Sequence, residues 1–267
     1  IVFDNDGNIY ISGYVDGSTE GTIDLGTPDA FIAKFTSDGT ELWLKRWGSE
    51  GFDITYRSIF HDEFIYIIGA TNGDVGGSGF FGGMYDTFLT KVDTSGNISW
   101  TKQWGTIGAE LSYSFTINDD SNFFLCGSAS GMIEDIDLNN MGISMTKLDG
   151  EGDFEWTDIW KSGKWQGANS IISDESGNFY LSGFSLGNLD GYENSGEVDT
   201  FLIKVDSSGN KIWTKLFGGE GTEMSNSTLI DKYGNMYVAG STESNLDGQT
   251  SSGGYDIFLI KFSAEDL

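Results

Sequence analysis

The chain has 267 residues, 41 of them acidic against 14 basic, for a net charge of −27. That balance argues against nucleic acid or an anionic membrane as partner, because both are bound through basic patches. It suits solubility, cation binding, or a salty medium that screens self-repulsion. Aromatic residues make up 14% of the chain, which sets it apart from a disordered one, and 39 glycines against one proline suit tight turns between paired strands. Cys126 is the single cysteine, so no intrachain disulfide forms. No run is apolar enough to span a bilayer as a helix. The chain opens at Ile1 without methionine, and the expectation is a processed chain or a piece of a longer one.

In chain order the elements repeat. A lysine recurs as Lys34, Lys91, Lys147, Lys204 and Lys261, in steps of 57, 56, 57 and 57. Trp43, Trp100, Trp156 and Trp213 keep the same step. A fixed period of this length means stacked copies of one supersecondary unit. Each copy holds four alternating apolar segments bounded by turn residues, which predicts four strands. In the first copy they are IYISG (Ile9 to Gly13), AFIAKF (Ala30 to Phe35), ELWLKRWG (Glu41 to Gly48) and ITYRSIF (Ile54 to Phe60). Four-stranded antiparallel sheets repeated radially make a β-propeller. The expected fold is therefore all-β, one propeller domain over 1–267 with five blades, at 1–53, 54–110, 111–166, 167–223 and 224–267.

The aromatic slots fit packed blades. Trp47, Trp104, Trp160 and Phe217 fill a second slot, and Phe31, Phe88, Phe201 and Phe258 a third. All are expected to be core. Cys126 takes a strand slot filled elsewhere by Ser12, Ile68, Ser182 and Ala239, so it reads as a packed thiol. The repeated lysine reads as a partly buried structural residue paired with a carboxylate.

The run DESGNFYLSG, NLDG, DTFLIKVDSSGN and WTKLFG, from Asp174 to Gly218, resembles the bacterial SBBP-type β-propeller repeat, and the resemblance extends along the whole chain. It implies a propeller, usually within secreted or surface proteins of bacteria, and brings no active site with it. The third copy departs most, with Gly142 and Ser144 in place of Asp and Phe and Asp158 in place of Lys.

Four constellations could carry chemistry. The D-x-x-G-N turns at Asp4, Asp174 and Asp231 have calcium-loop residues but lack the further ligands, so they read as Asx turns. In the long loops, Asp74, Asp190 and Asp247 precede Asp86, Asp199 and Asp256; these six carboxylates are the candidate ligands for Ca²⁺, with a glycine-rich loop pinned by Asx turns as the other reading. Asp53, Glu110 and Glu223 form a partial ring of acids broken by Gln166. Glycoside hydrolysis uses paired carboxylates, but it needs them differentiated, and these are near-copies. Finally, Trp165 is the one tryptophan outside a repeated slot; with Lys164 and Gln166 it forms the candidate ligand site, able to stack on a sugar ring.

The function expected is that of a non-enzymatic extracellular or cell-surface scaffold or adhesive module. The alternative is a carbohydrate-binding, lectin-like propeller, and the third reading a glycoside hydrolase. No cofactor is called for beyond Ca²⁺, and a glycan is a candidate ligand. The chain falls 18 residues short of five repeats of 57, a deficit matching Glu41 to Ser58. Blade five should therefore end at Ile257 to Phe262 with an open edge, and blade one should begin with a stub. An upstream segment or another chain is the expected partner that completes blade five.

Overall fold

The computed structural model describes residues 1–17, 28–77, 79–130 and 141–267. They are all-β, with nineteen strands in five antiparallel sheets, the arrangement of propeller blades. The chain divides into two compact units, whose described residues are 1–17, 28–77 and 79–113 in the first and 114–130 with 141–267 in the second.

The first unit holds two complete sheets. One is β1 (Val2–Phe3), β2 (Ile9–Val15), β3 (Asp29–Phe35) and β4 (Glu41–Trp47), in that order. The next is β5 (Asp53–His61), β6 (Phe64–Thr71), β7 (Asp86–Asp93) and β8 (Ile98–Trp104). β9 (Glu110–Ile117) begins in the first unit and continues into the second.

The second unit continues with β10 (Phe123–Ala129), β11 (Gly142–Leu148) and β12 (Phe154–Trp160), which complete the sheet of β9. Then come β13 (Gln166–Ser173), β14 (Phe179–Ser185), β15 (Asp199–Val205) and β16 (Lys211–Phe217). The last sheet has three strands: β17 (Glu223–Ile230), β18 (Met236–Thr242) and β19 (Asp256–Phe262). The expected stub in blade one and short blade five are both present.

The sequence period follows from the register. In every complete sheet one cross-strand row runs aromatic, lysine, tryptophan: Tyr10–Lys34–Trp43, Tyr66–Lys91–Trp100, Phe124–Lys147–Trp156 and Tyr180–Lys204–Trp213. The rings meet edge-on or tilted at 5.9, 6.2, 6.4 and 6.1 Å between centroids. The ammonium lies over the aromatic face, 5.0 Å from the Tyr10 centroid and 5.0 Å from that of Tyr180. This cation–π contact is the lysine's common partner. Ion pairs are the exception: Lys34 reaches Asp4 at 3.4 Å and Lys147 reaches Glu155 at 2.8 Å. The expected carboxylate pairing thus holds for two of the five lysines among the described contacts, and an aromatic ring replaces it as the general rule.

The tryptophans flank the core more than they fill it. Trp43, Trp100, Trp156 and Trp213 are half-buried, and only Trp47 of the second slot is buried. The interior of the first unit includes Phe88, and that of the second is made by Phe115, Phe123, Phe124, Phe179 and Phe201, with Ile and Leu from the middle strands. Cys126 is fully buried in that core, its Sγ 3.5 Å from the Ala168 carbonyl.

One recurring glycine has a clear cause. A bulge in the first strand of a blade drives a carbonyl onto the second strand. A Cβ on Gly183 would lie 1.9 Å from the Gly167 carbonyl oxygen, and one on Gly240 would lie 2.0 Å from that of Met224. The same bulges leave Tyr56, Asn169 and Asn226 without a cross-strand partner.

Candidate functional site

The acids of the sequence gather at one kind of place: the link from a blade's tryptophan strand to the next blade's first strand. Here the backbone N–H of Asp53 donates to the Pro28 carbonyl at 2.8 Å. Glu110 does the same to Tyr85 at 3.0 Å, Gln166 to Met141 at 2.9 Å and Glu223 to Val198 at 2.8 Å. This bond sets the first-strand acid beside the aspartate that opens the third strand. Asp29 then faces Asp53, Asp86 faces Glu110, and Asp199 faces Glu223.

Each first-strand acid pins its own link. Asp53 accepts from Ser49 N–H at 2.6 Å and Ser49 Oγ at 2.9 Å. Glu110 accepts from Thr106 N–H at 3.0 Å and from its hydroxyl. Glu223 accepts from Gly219 N–H at 2.6 Å and from the hydroxyls of Thr242 and Ser244, both at 2.7 Å. The third-strand aspartates close the long loops: Asp86 accepts from Phe81 N–H at 2.9 Å, Asp199 from Ser195 N–H at 2.7 Å and Asp256 from Ser252 N–H at 2.7 Å.

Glycine is required where the carboxylates meet. A Cβ on Gly48 would sit 2.7 Å from Asp29 Oδ1 and 2.8 Å from Asp53 Oδ2. One on Gly218 would sit 2.3 Å from Asp199 Oδ1 and 2.8 Å from Glu223 Oε2.

Burial raises the proton affinity of these acids. It pushes Asp53, Asp86, Glu110 and Asp199 above the usual carboxylate range, against the pull of their hydrogen bonds, and the neighbouring carboxylate adds to the rise for Asp53, Glu110 and Asp199. Asp53 Oδ1, Asp86 Oδ1 and Asp199 Oδ1 are buried without a hydrogen-bond partner. Two carboxylates this close hold a proton more readily than two negative charges.

The copies are not identical, and sequence reasoning overlooked the slot that differentiates them. Arg46 of the tryptophan strand reaches Asp29 at 2.5 Å, and Gln103 in the same slot reaches Asp86 at 2.8 Å. Ile159 and Leu216 follow in that slot. The signal was a basic residue, then an amide, then two aliphatics at the 57-residue step. In the third copy Gly142 removes one acid and Gln166 neutralises the other; the amide of Gln166 donates to Ser185 Oγ at 2.9 Å and to the Ser162 hydroxyl.

The six proposed calcium ligands are distributed as follows. Asp190 has a φ of 50° and Asp247 one of 48°, each followed by a glycine of positive φ. With the bridges Leu189–Tyr192 and Leu246–Gln249, both are central residues of two-residue hairpin turns, a conformation open to Asp before Gly. Asp190 takes Lys211 Nζ and Thr214 Oγ1, both at 2.5 Å. Asn188 and Asn245 accept loop N–H groups at 3.0 and 2.8 Å. Asp74 is exposed. Among the described residues no three His, Cys, Asp or Glu side chains come together as a metal-holding group. The D-x-x-G-N turns are Asx turns: Asp4 accepts from Asn8 N–H at 2.8 Å and Tyr10 Oη at 2.9 Å. Burial opposes its ionisation, but these bonds outweigh it and hold its pKa at about 2.

Of the other candidate site, Trp165 is 41% exposed, its ring edge-on to Phe184 at 5.7 Å. Lys164 is exposed beside it, its stem against Gly187. Gln166 points inward and is fully buried. The structure thus leaves Trp165 and Lys164 on the surface and turns the third residue away. A second aromatic pair escaped notice in the sequence: Tyr56 and Tyr113, one repeat apart, meet edge-on at 5.3 Å in the first unit.

The family model that matches is that of the SBBP beta-propeller repeat, over residues 212–247. This segment matches the SBBP repeat. It spans β16, β17 and β18, the tryptophan strand and the first two strands of the next blade. No curated protein matches the chain. Among solved structures, the WD40 domain of Neurospora crassa Pan2 aligns with a TM-score of 0.56 at 12% identity, over 99% of this chain and 62% of that one. The polysaccharide lyase Uly1 aligns at 0.52 and 10% identity, over 98% and 57%. The GH43 β-1,3-galactosidase BT3683 aligns at 0.51 and 11%, over 100% and 90%. The chain thus spans less than two thirds of the first two structures. At these identities the likeness is one of propeller fold, shared by proteins named as enzymes and by one that is not.

Proposed function

We propose that this SBBP propeller is a non-enzymatic interaction module, a scaffold or adhesive unit of an extracellular or cell-surface protein. The observation that supports it is the use made of the carboxylates. Asp53, Asp86, Asp199 and Glu223 are fully buried, and each accepts a backbone N–H of its link or loop, joined in three of them by neighbouring side-chain donors. Hydrolytic catalysis needs two differentiated carboxylates that reach a substrate. A surface of strong negative charge over rigid blades suits a module that stays soluble while its loops make contacts.

A second reading is favoured by Trp165. An exposed indole braced edge-on by Phe184, with the Lys164 ammonium beside it, offers an apolar face and a donor to a sugar ring. The test is a glycan array on the immobilised chain, run with a panel of chromogenic glycosides. The scaffold reading expects neither retention nor turnover. Retention lost in Trp165→Ala would establish the lectin, and turnover lost in Asp53→Asn or Glu110→Gln would establish an enzyme.

A further inference from the structure

The links from a tryptophan strand to the next first strand have one length but not one charge. Link 48–53 carries Glu50 and Asp53, link 105–110 carries Glu110, and link 218–223 carries Glu220 and Glu223, for −2, −1 and −2. Link 161–166 carries Lys161 and Lys164 and no acid, for +2. It also holds Trp165, where the others have Phe52, Ala109 and Thr222. A cationic link bearing an exposed indole stands apart in a chain of net charge −27.

The change is built into the joint. In the other links a glycine leaves room for carboxylates: a Cβ on Gly105 would run into Asp86, and one on Gly218 into Asp199. In the third copy Gly142 stands in place of that aspartate, and Lys161 in place of that glycine. The lysine stem takes the room the aspartate gave up, since a Cβ on Gly142 would lie 2.6 Å from Lys161 Cγ. Lys161 Nζ donates to the Ser130 carbonyl, a neutral acceptor. Lys164 lays its stem on Gly187, where a Cβ would lie 3.2 Å from its Cδ. Among the described residues neither ammonium is in an ion pair.

We propose that link 161–166 binds an acidic saccharide, a sugar ring carrying a carboxylate. This rests on the sugar-binding reading of Trp165 and names its ligand class. The backbone here is already engaged: Gln166 N–H donates to the Met141 carbonyl at 2.9 Å, and the Trp165 carbonyl accepts from Leu186 N–H at 3.0 Å. A peptide strand therefore finds no pairing at these two residues, and recognition falls to side chains. Phe184 braces the indole edge-on at 5.7 Å and fixes its plane. The flat indole takes the apolar face of the sugar ring. The Lys164 ammonium takes the carboxylate through a charge-assisted hydrogen bond, and Lys161 adds to the attracting field. At physiological salt the Debye length is about 8 Å, so a ligand on this link feels its two lysines more than the distant acids of the chain. Gln166, buried and bonded to Ser185 and Ser162, takes no part.

The probes are trisaccharides of galacturonic, glucuronic and mannuronic acid, each with its neutral methyl ester, titrated calorimetrically into the 267-residue chain. At least one acid should bind saturably, with its ester about tenfold weaker or worse, and added NaCl should weaken the acid alone. Trp165→Ala should abolish binding. Lys164→Gln should weaken the acid about tenfold, the loss of one charge-assisted contact, and Lys161→Gln about threefold. Lys164→Glu should reverse the preference between acid and ester. Thermal melts verify that each variant is folded. Equal binding of acid and ester through Trp165 would overturn the proposal and leave the sugar-binding reading standing. No binding of any probe would overturn it too, with the glycan array left to decide the wider reading. So would binding indifferent to Trp165 or Lys164. A triglutamate peptide that binds as tightly as the acid, with the same dependence on Trp165, would overturn it in favour of an acidic polypeptide.

Discussion

Asp199 and Glu223 converge on Gly218: a Cβ there would lie 2.3 Å from one carboxylate and 2.8 Å from the other. The pair joins the third strand of one blade to the first strand of the next within the second unit. Its Glu223 member is saturated by Gly219, Thr242 and Ser244, whereas Asp199 Oδ1 has no hydrogen-bond partner. A proton on Asp199 removes the like-charge repulsion and gives that oxygen a donor.

Gly218→Ala should therefore destabilise the fold by more than an ordinary surface change. The methyl must displace two hydrogen-bonded carboxylates, and a cost of about 2–4 kcal/mol is expected, in the range of overpacking. Urea melts of Gly218→Ala and of Gly191→Ala measure the difference. Nothing lies within 4 Å of a Cβ on Gly191, whose φ of 87° leaves only backbone strain. Equal losses would show that the carboxylates yield freely.

Trp213→Ala should cost about 3 kcal/mol, since the indole packs on Tyr180 and donates to the Leu267 carbonyl. Trp165→Ala, at a 41% exposed position, should cost under about 1 kcal/mol. Denaturant midpoints of the two variants check the order.

The fold was legible in the sequence because a blade is a local unit. Turn glycines, alternating apolar residues and the Lys34-to-Lys261 step each report short-range geometry. The short fifth blade was legible for the same reason. The acid pairs were not, because Asp29 and Asp53 belong to different strands of different sheets and are brought together at the Asp53 N–H to Pro28 bond. The aromatic partner of the lysines was not legible because it stands across the sheet: the Tyr10 ring is the direct cross-strand neighbour of Lys34, beside the Asp4 carboxylate that the lysine also reaches.

For calcium, the loop oxygens are the issue. Asp190 is engaged by Lys211, and Asn188 and Asn245 by loop N–H groups. CaCl₂ and NaCl at equal ionic strength should therefore raise the melting temperature equally, by screening the −27 charge. A larger shift in calcium, saturating with concentration, would mean a specific site.

The central claim is that the acid pairs are proton-holding structural joints. Glu110→Gln tests it most directly, because Gln166 occupies the same slot naturally. The folded-state pKa values of Asp86 and Glu110 are raised, so protonation favours the folded chain. Their contribution is complete below the unfolded carboxylate range and is lost as pH rises through the raised values. Asp4 works in the opposite sense, contributing above its unfolded value and failing as pH falls toward about 2. Melting temperature should thus fall as pH climbs from the carboxylate range toward 8. In Glu110→Gln that fall should be shallower, and the variant should be the more stable protein at pH 8. A variant less stable than the parent at every pH, with the same slope, would contradict the account.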